Sequence, residues 1–257
     1  MVFKSAQIAG MVYAILSLVI VTTLYRKKKF NRKTAYGFTV VSIIMGFLVF
    51  APMLPWQMQS LLLGTSKQIP TPVATLVLVI FVLLTFIFSR AFCGYTCPIG
   101  SVQELLYHLP LKKFKINNRI VPLVIRFIVL PTFIVVAAVY SIGILKEIGL
   151  KDFFFLTITA WTSLIFIALV VISALVYRPF CRFGCPYGML LSLAAIKSRF
   201  KIRQNESCID CKNPKCVSVC PTGEALSTSN KMECYLCYRC IEACPTQGIE
   251  YGRDKKP

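Results

Sequence analysis

Eight cysteines near the end of the chain fall into two runs. The first is Cys208-x2-Cys211-x4-Cys216-x3-Cys220-Pro221, and the second is Cys234-x2-Cys237-x2-Cys240-x3-Cys244-Pro245. A 4Fe-4S cube needs four thiolates that converge from different directions. In two-cluster ferredoxins three come from one tight loop and the fourth comes from the other motif. That rule assigns Cys208, Cys211, Cys216 and Cys244 to one cluster, and Cys234, Cys237, Cys240 and Cys220 to a second. A pair of zinc knuckles or a disulfide knot is the competing use of eight cysteines. Zinc favours two well-separated Cys pairs and does not call for the x2-x2-x3-Pro run. Each proline after the last cysteine ends its loop and removes a backbone donor. The first run is wider than usual, with four residues (Lys212–Lys215) where the pattern has two. Pro214 is expected to shape that bulge, and all four ligands remain, so a complete cluster with a shifted potential is expected.

The other four cysteines form a second constellation. Residues 90–100 read RAFCGYTCPIG and residues 178–188 read RPFCRFGCPYG. Arg, Phe, both Cys, Pro and Gly recur at the same offsets, 88 residues apart, and each copy runs on to an FKI at 114–116 or 200–202. On a helical turn, i and i+4 share a face. Cys93 with Cys97, and Cys181 with Cys185, could therefore present four thiolates to one cluster or one metal. A copper site, a pair of dithiols and four inert buried thiols are the alternatives, since free Cys is often simply buried. Because each copy supplies only two thiolates, a single composite site is expected.

The elements that must position these cysteines are mostly apolar. Of the 257 residues 56% are hydrophobic, gathered in blocks separated by basic clusters. Five stretches approach the roughly 20 residues needed to cross a bilayer: Ala6–Tyr25, Ala35–Leu54, Thr71–Ser89, Ile120–Ile142 and Leu156–Tyr177. The first is followed by RKKKFNRK and carries no small-residue cleavage site before it, so it reads as a retained anchor. The net charge of +19 is explained by topology better than by nucleic acid, because the basic residues flank the apolar segments. Residues 26–33 hold six Lys and Arg and residues 90–119 hold five, against Lys4, Lys67, Lys146 and Lys151 on the opposite side. The positive-inside rule then puts the N-terminus outside and the Cys-rich end in the cytoplasm.

The fold expected is an all-α membrane bundle of about five transmembrane helices in two hairpin repeats, with a small C-terminal α+β two-cluster ferredoxin domain. Its divisions are an anchor and basic loop (1–34), the duplicated hairpins (35–188), a basic linker (189–204) and the ferredoxin (205–257). The repeat suggests a pseudo-two-fold axis along the membrane normal.

These motifs resemble the membrane polyferredoxins of the NapH and NosR type, over about residues 35–250. The resemblance rests on CGYTCP, CRFGCP and the eight ferredoxin cysteines. It implies electron transfer between the cytoplasmic face or quinone pool and a membrane or extracytoplasmic redox partner. Other redox subunits would be the partners: a flavoprotein, a cytochrome or a periplasmic ferredoxin. The extracytoplasmic flavin domain of the NosR type finds no room in the short outer segments. The CcoG type, a copper-reducing maturation factor with a further β domain, fits less well. Copper or iron handling at the membrane cysteines is the rival function. Two further residues are candidates for a quinone or lipid contact, with a solvated or headgroup-facing imidazole as the simpler reading of the histidine. One is His108, the only histidine; the other is Arg126, two turns into the fourth span, where its stem could snorkel to the interface. Trp56 and Trp161 are expected in the outer interfacial belt.

Overall fold

In a computed structural model of the chain, the described residues are 2–64, 70–116, 120–157, 161–205, 208, 211, 214–226 and 228–253, with backbone alone for 2–7 and 161–163. The side chain of Trp161 and half of the widened loop (212–213 of 212–215) therefore lie outside them.

The chain is mostly helical. Helices α1 (Val2–Arg26), α2 (Arg32–Val49), α3 (Leu54–Leu62), α4 (Thr71–Phe88) and α5 (Pro98–Tyr107) make the first part. There follow α6 (Ile120–Tyr140), two short turns α7 (Ile144–Glu147) and α8 (Leu150–Phe154), α9 (Trp161–Ile172) and α10 (Pro186–Ile196). Four segments among the described residues are long and apolar enough to cross a membrane: Ile8–Arg26, Arg32–Leu62, Thr71–Phe88 and Ile120–Tyr140. Even the shortest, at 18 residues, spans about 27 Å at about 1.5 Å per residue. Their outward faces are apolar; Leu76, Leu83, Phe127, Ile128 and Val139 are all exposed, as a surface solvated by lipid requires. The fifth expected stretch is represented by α9, whose 12 described residues fall short of that length.

Local sequence sets the boundaries. Asn31 caps α2, its Oδ1 accepting from the Thr34 amide at 2.8 Å. Pro98 and Pro186 open α5 and α10 at the first helical position, where a missing N–H costs nothing. Gly46 lets α2 close on α5: a Cβ there would lie 2.5 Å from Pro98 Cβ.

The Cys-rich end is a small α+β unit. Strand β1 (Phe200–Gln204) pairs antiparallel with β2 (Ile249–Arg253), and two short helices, α11 (Lys215–Val219) and α12 (Arg239–Glu242), lie between them. β1 comes from the stretch read from sequence as linker, and it carries the second FKI.

The two copies of the repeat are exchanged across the centre. Phe114, in the first FKI, donates its amide to Leu175 O at 2.9 Å at the end of the second hairpin. The Arg199 amide, just before the second FKI, donates to Phe86 O at 2.7 Å at the end of the first. Phe200 stacks on Phe88 at 6.4 Å, and Lys113 Nζ donates to Ala174 O at 2.7 Å.

Candidate thiol relay between bilayer and ferredoxin

Both Cys-x3-Cys-Pro copies adopt one unusual backbone. A five-residue π-turn, Phe92–Thr96 in one and Phe180–Gly184 in the other, holds the first cysteine, and the second is the N-cap of the following helix. The i, i+4 helical spacing expected from sequence is thus replaced. The proline after the second cysteine ends the first turn and starts a new helix, so that cysteine is extended (φ −73° and −83°). All four thiols are buried, and all four line one cavity with Arg90, Phe92, Phe180 and Tyr187 on its wall. Gln103 Nε2 reaches Cys181 Sγ at 3.5 Å, while its Oε1 accepts from the Phe180 amide at 3.1 Å. The Cys185 sulfur accepts from the Gly188 amide at 3.2 Å.

The C-terminal cysteines gather in two groups. Cys220, Cys234, Cys237 and Cys240 line one small cavity with Tyr235 and Leu236. Burial pushes the Cys208 thiol above its ordinary value, and the charges of Cys244, Cys216 and Cys211 add to this, so these four share a second neighbourhood. Cys216 is raised for the same reasons, burial first and Cys244 next. Cys244 feels burial too, but the Thr246 hydroxyl and the Gly248, Thr246 and Ile249 amides outweigh it and hold the thiol below its usual range. Among the described residues, no three His, Cys, Asp or Glu side chains converge on a single-ion site.

The first group abuts the membrane site. Tyr235 sits between Cys234 and Cys237, and its hydroxyl donates to Cys181 O at 3.3 Å. Its own carbonyl passes so close to Gly94 that a Cβ there would stand 2.3 Å away. Tyr25 and Tyr95 both donate to Leu236 O, Tyr95 at 2.6 Å. The Tyr235 ring lies between two guanidiniums, Arg90 at 4.1 Å and Arg178 at 5.0 Å from its centre.

Two buried carboxylates hold these arginines, and sequence reasoning had singled out neither. Glu104 takes Arg178 at 2.9 Å, Arg239 at 2.6 Å and the Tyr177 hydroxyl at 2.8 Å. Glu233 takes Arg90 at 3.1 Å, Arg182 at 3.5 Å and Arg126. Arg126 is fully buried and also bonds Ser192, which corrects the expectation that it snorkels. A carboxylate from the ferredoxin end reaches it first, so its charge is matched inside the protein. His108 is half-buried. It lies 3.4 Å from Glu104, and its ring meets that of Tyr36 at a 56° tilt, 4.9 Å between centres. The recurrence of Arg90 and Arg178 in the repeat was the one sequence signal for this network.

A family described as a 4Fe-4S binding domain matches residues 70–117 and 158–204, and each matched segment contains one Cys-x3-Cys-Pro and ends at or just beyond its FKI. YccM of Escherichia coli, named for electron transport, is 32% identical over 204 residues, covering 70% of this chain and 56% of YccM. An uncharacterized Methanocaldococcus jannaschii protein is 30% identical over 189 residues, covering 68% of this chain and 77% of its own length. The ferredoxin-type protein NapH of Escherichia coli is 25% identical over 197 residues, covering 70% and 68%. This chain thus spans little more than half the length of YccM. No solved structure matches. With apolar helices of membrane-spanning length joined to the repeated thiol motif, the chain belongs to the membrane-associated, polyferredoxin-type family of 4Fe-4S electron transport proteins.

Proposed function

We propose that the chain is an electron-transfer subunit with three adjoining thiol sites. Cys208, Cys211, Cys216 and Cys244 would hold one 4Fe-4S cluster, and Cys220, Cys234, Cys237 and Cys240 a second. Cys93, Cys97, Cys181 and Cys185 would hold a third. The observation that carries this reading is the single buried cavity to which both repeat copies give both of their cysteines. Such a cluster supplies uptake and release of one electron at a time. The chain's part is to bury the thiols, aim amides at sulfur and hold the neighbouring sites in contact through Tyr235. A cube binds one thiolate per iron and spreads its four sulfurs more widely than the ligands of one ion. The lack of any three-ligand convergence among the described residues favours that arrangement over a single copper or zinc.

The Lys and Arg asymmetry supports an outside N-terminus and a cytoplasmic Cys-rich end. The membrane-facing partners would be further redox subunits. A cavity of about 260 Å³ beside Cys237, walled by His108, Tyr36, Arg32 and Arg239, supports a quinone contact at His108; Arg126 lies outside it.

Iron and acid-labile sulfide in the purified full chain test the assignment. About twelve of each per chain are expected. About eight, unchanged in a Cys181→Ser variant, would leave two clusters and inert or dithiol membrane cysteines. Copper bound at those cysteines would favour the metal-handling alternative.

A further inference from the structure

The fully buried charges do not balance. Among the described residues around the repeat, Arg90, Arg126, Arg178 and Arg182 are buried against Glu104 and Glu233, four positive to two negative. Arg239, half-buried on Glu104, adds to the surplus. An uncompensated ion taken out of water costs several kcal/mol, of that order for each charge. A fold that keeps such a surplus must meet an anion there.

Arg90 indicates where. It is 0% exposed and lies on the wall of the four-cysteine cavity. Besides its contact with the Tyr235 ring, only its Nη1 makes hydrogen bonds, to Glu233 at 3.1 Å and Met232 O at 3.4 Å. Its Nε and Nη2 have no hydrogen-bond partner among the described residues. Glu233 is already shared with Arg126 and Arg182. Arg178, at the matching position of the other copy, places Nη1 and Nη2 on the carbonyls of Cys93 and Gly94. Arg90 therefore lines the thiol cavity itself, and Arg178 stands behind it on the backbone of the opposite copy.

We infer that Arg90 and Arg178 supply the counter-charge for an anionic group on Cys93, Cys97, Cys181 and Cys185, and that they raise its reduction potential. This rests on the proposed cluster at those thiols. Four neutral thiols or two disulfides would leave the surplus in place; four thiolates on a cluster cancel it. Adding one electron makes such a group more negative by one charge. A fixed guanidinium nearby therefore stabilises its reduced form more than its oxidised form.

A redox titration of the full-length, detergent-purified holoprotein, followed by electron paramagnetic resonance, tests this. In Arg90→Gln the third signal should titrate at lower potential. Its reduced-to-oxidised ratio at the wild-type midpoint should fall about tenfold, about 59 mV for one electron. The two ferredoxin signals should move less, and Arg90→Lys should restore most of the shift. Glu233→Gln removes a negative charge and should move the same signal upward, which keeps the test alive if Arg90→Gln does not fold. An intact third signal that stays put or rises in Arg90→Gln overturns the inference, and so does a Lys variant that behaves like Gln. A wild-type protein without a third signal overturns the cluster reading itself, and this inference with it.

Discussion

The hydroxyl of Tyr235 lies 3.3 Å from the carbonyl oxygen of Cys181, across 54 residues of sequence. One side chain thus joins a loop of the Cys-rich end to the π-turn of the second repeat copy. Replacing it by Phe should cost about 1 kcal/mol, one hydrogen bond's worth, with the ring still held between Arg90 and Arg178. Thermal unfolding in detergent would measure it; a loss several times larger would mean that the hydroxyl has a second task.

Gly94 should tolerate no side chain. Its Cβ would stand 2.3 Å from Tyr235 O, which is backbone and cannot swing away. Gly94→Ala should cost about 1–3 kcal/mol as an overpacked contact. Gly37→Ala, with nothing within 4 Å of the new methyl, should be neutral or slightly stabilising in its helix. Equal unfolding temperatures for the two variants would refute the close docking.

Glu104 anchors Arg178 and Arg239 at once. Glu104→Gln leaves two guanidiniums short of a counter-charge and should destabilise by about 3–5 kcal/mol. Tyr177→Phe, which removes only the bond to the same carboxylate, should cost about 1 kcal/mol. A Gln variant that unfolds with the wild type would show that the network carries little of the stability.

The two repeat copies should behave as one site. Serine at Cys93 and serine at Cys181 should each abolish the same spectroscopic signal, and the double variant should lose nothing further. If each single variant removes half of a signal and the double removes all, the copies act separately as dithiols.

Reporter fusions at the two termini should fall on opposite sides of the membrane, as the basic loops require. Two ends on one side would remove a crossing from the bundle.

Much of this was legible in advance, for identifiable reasons. Cysteine spacing is a local constraint of cluster geometry, so the ferredoxin groups and the repeat could be read from residue types alone. Span length follows from bilayer thickness, so the apolar blocks stood out. The centre of the molecule was not legible. Glu104 and Glu233 meet their arginines across 51 to 143 residues, with no period or motif to mark the pairing. Tyr235 lies between two cysteines of the second run, and nothing in its spacing marks it. The π-turns could not be read either, because Cys-x3-Cys fits an ordinary helical turn until the following proline is weighed.

The crossing of the two FKI segments has a further consequence. The tail after the first hairpin is seated on the end of the second, at Leu175, and the tail after the second is seated on the end of the first, at Phe86. Neither half closes its own seam, and neither owns more than two of the four membrane thiols. The smallest self-sufficient unit is therefore the pair. A chain bearing one copy could complete itself only by clasping another, so the covalent link between hairpins makes permanent what would otherwise be a reciprocal dimer whose assembly depended on concentration.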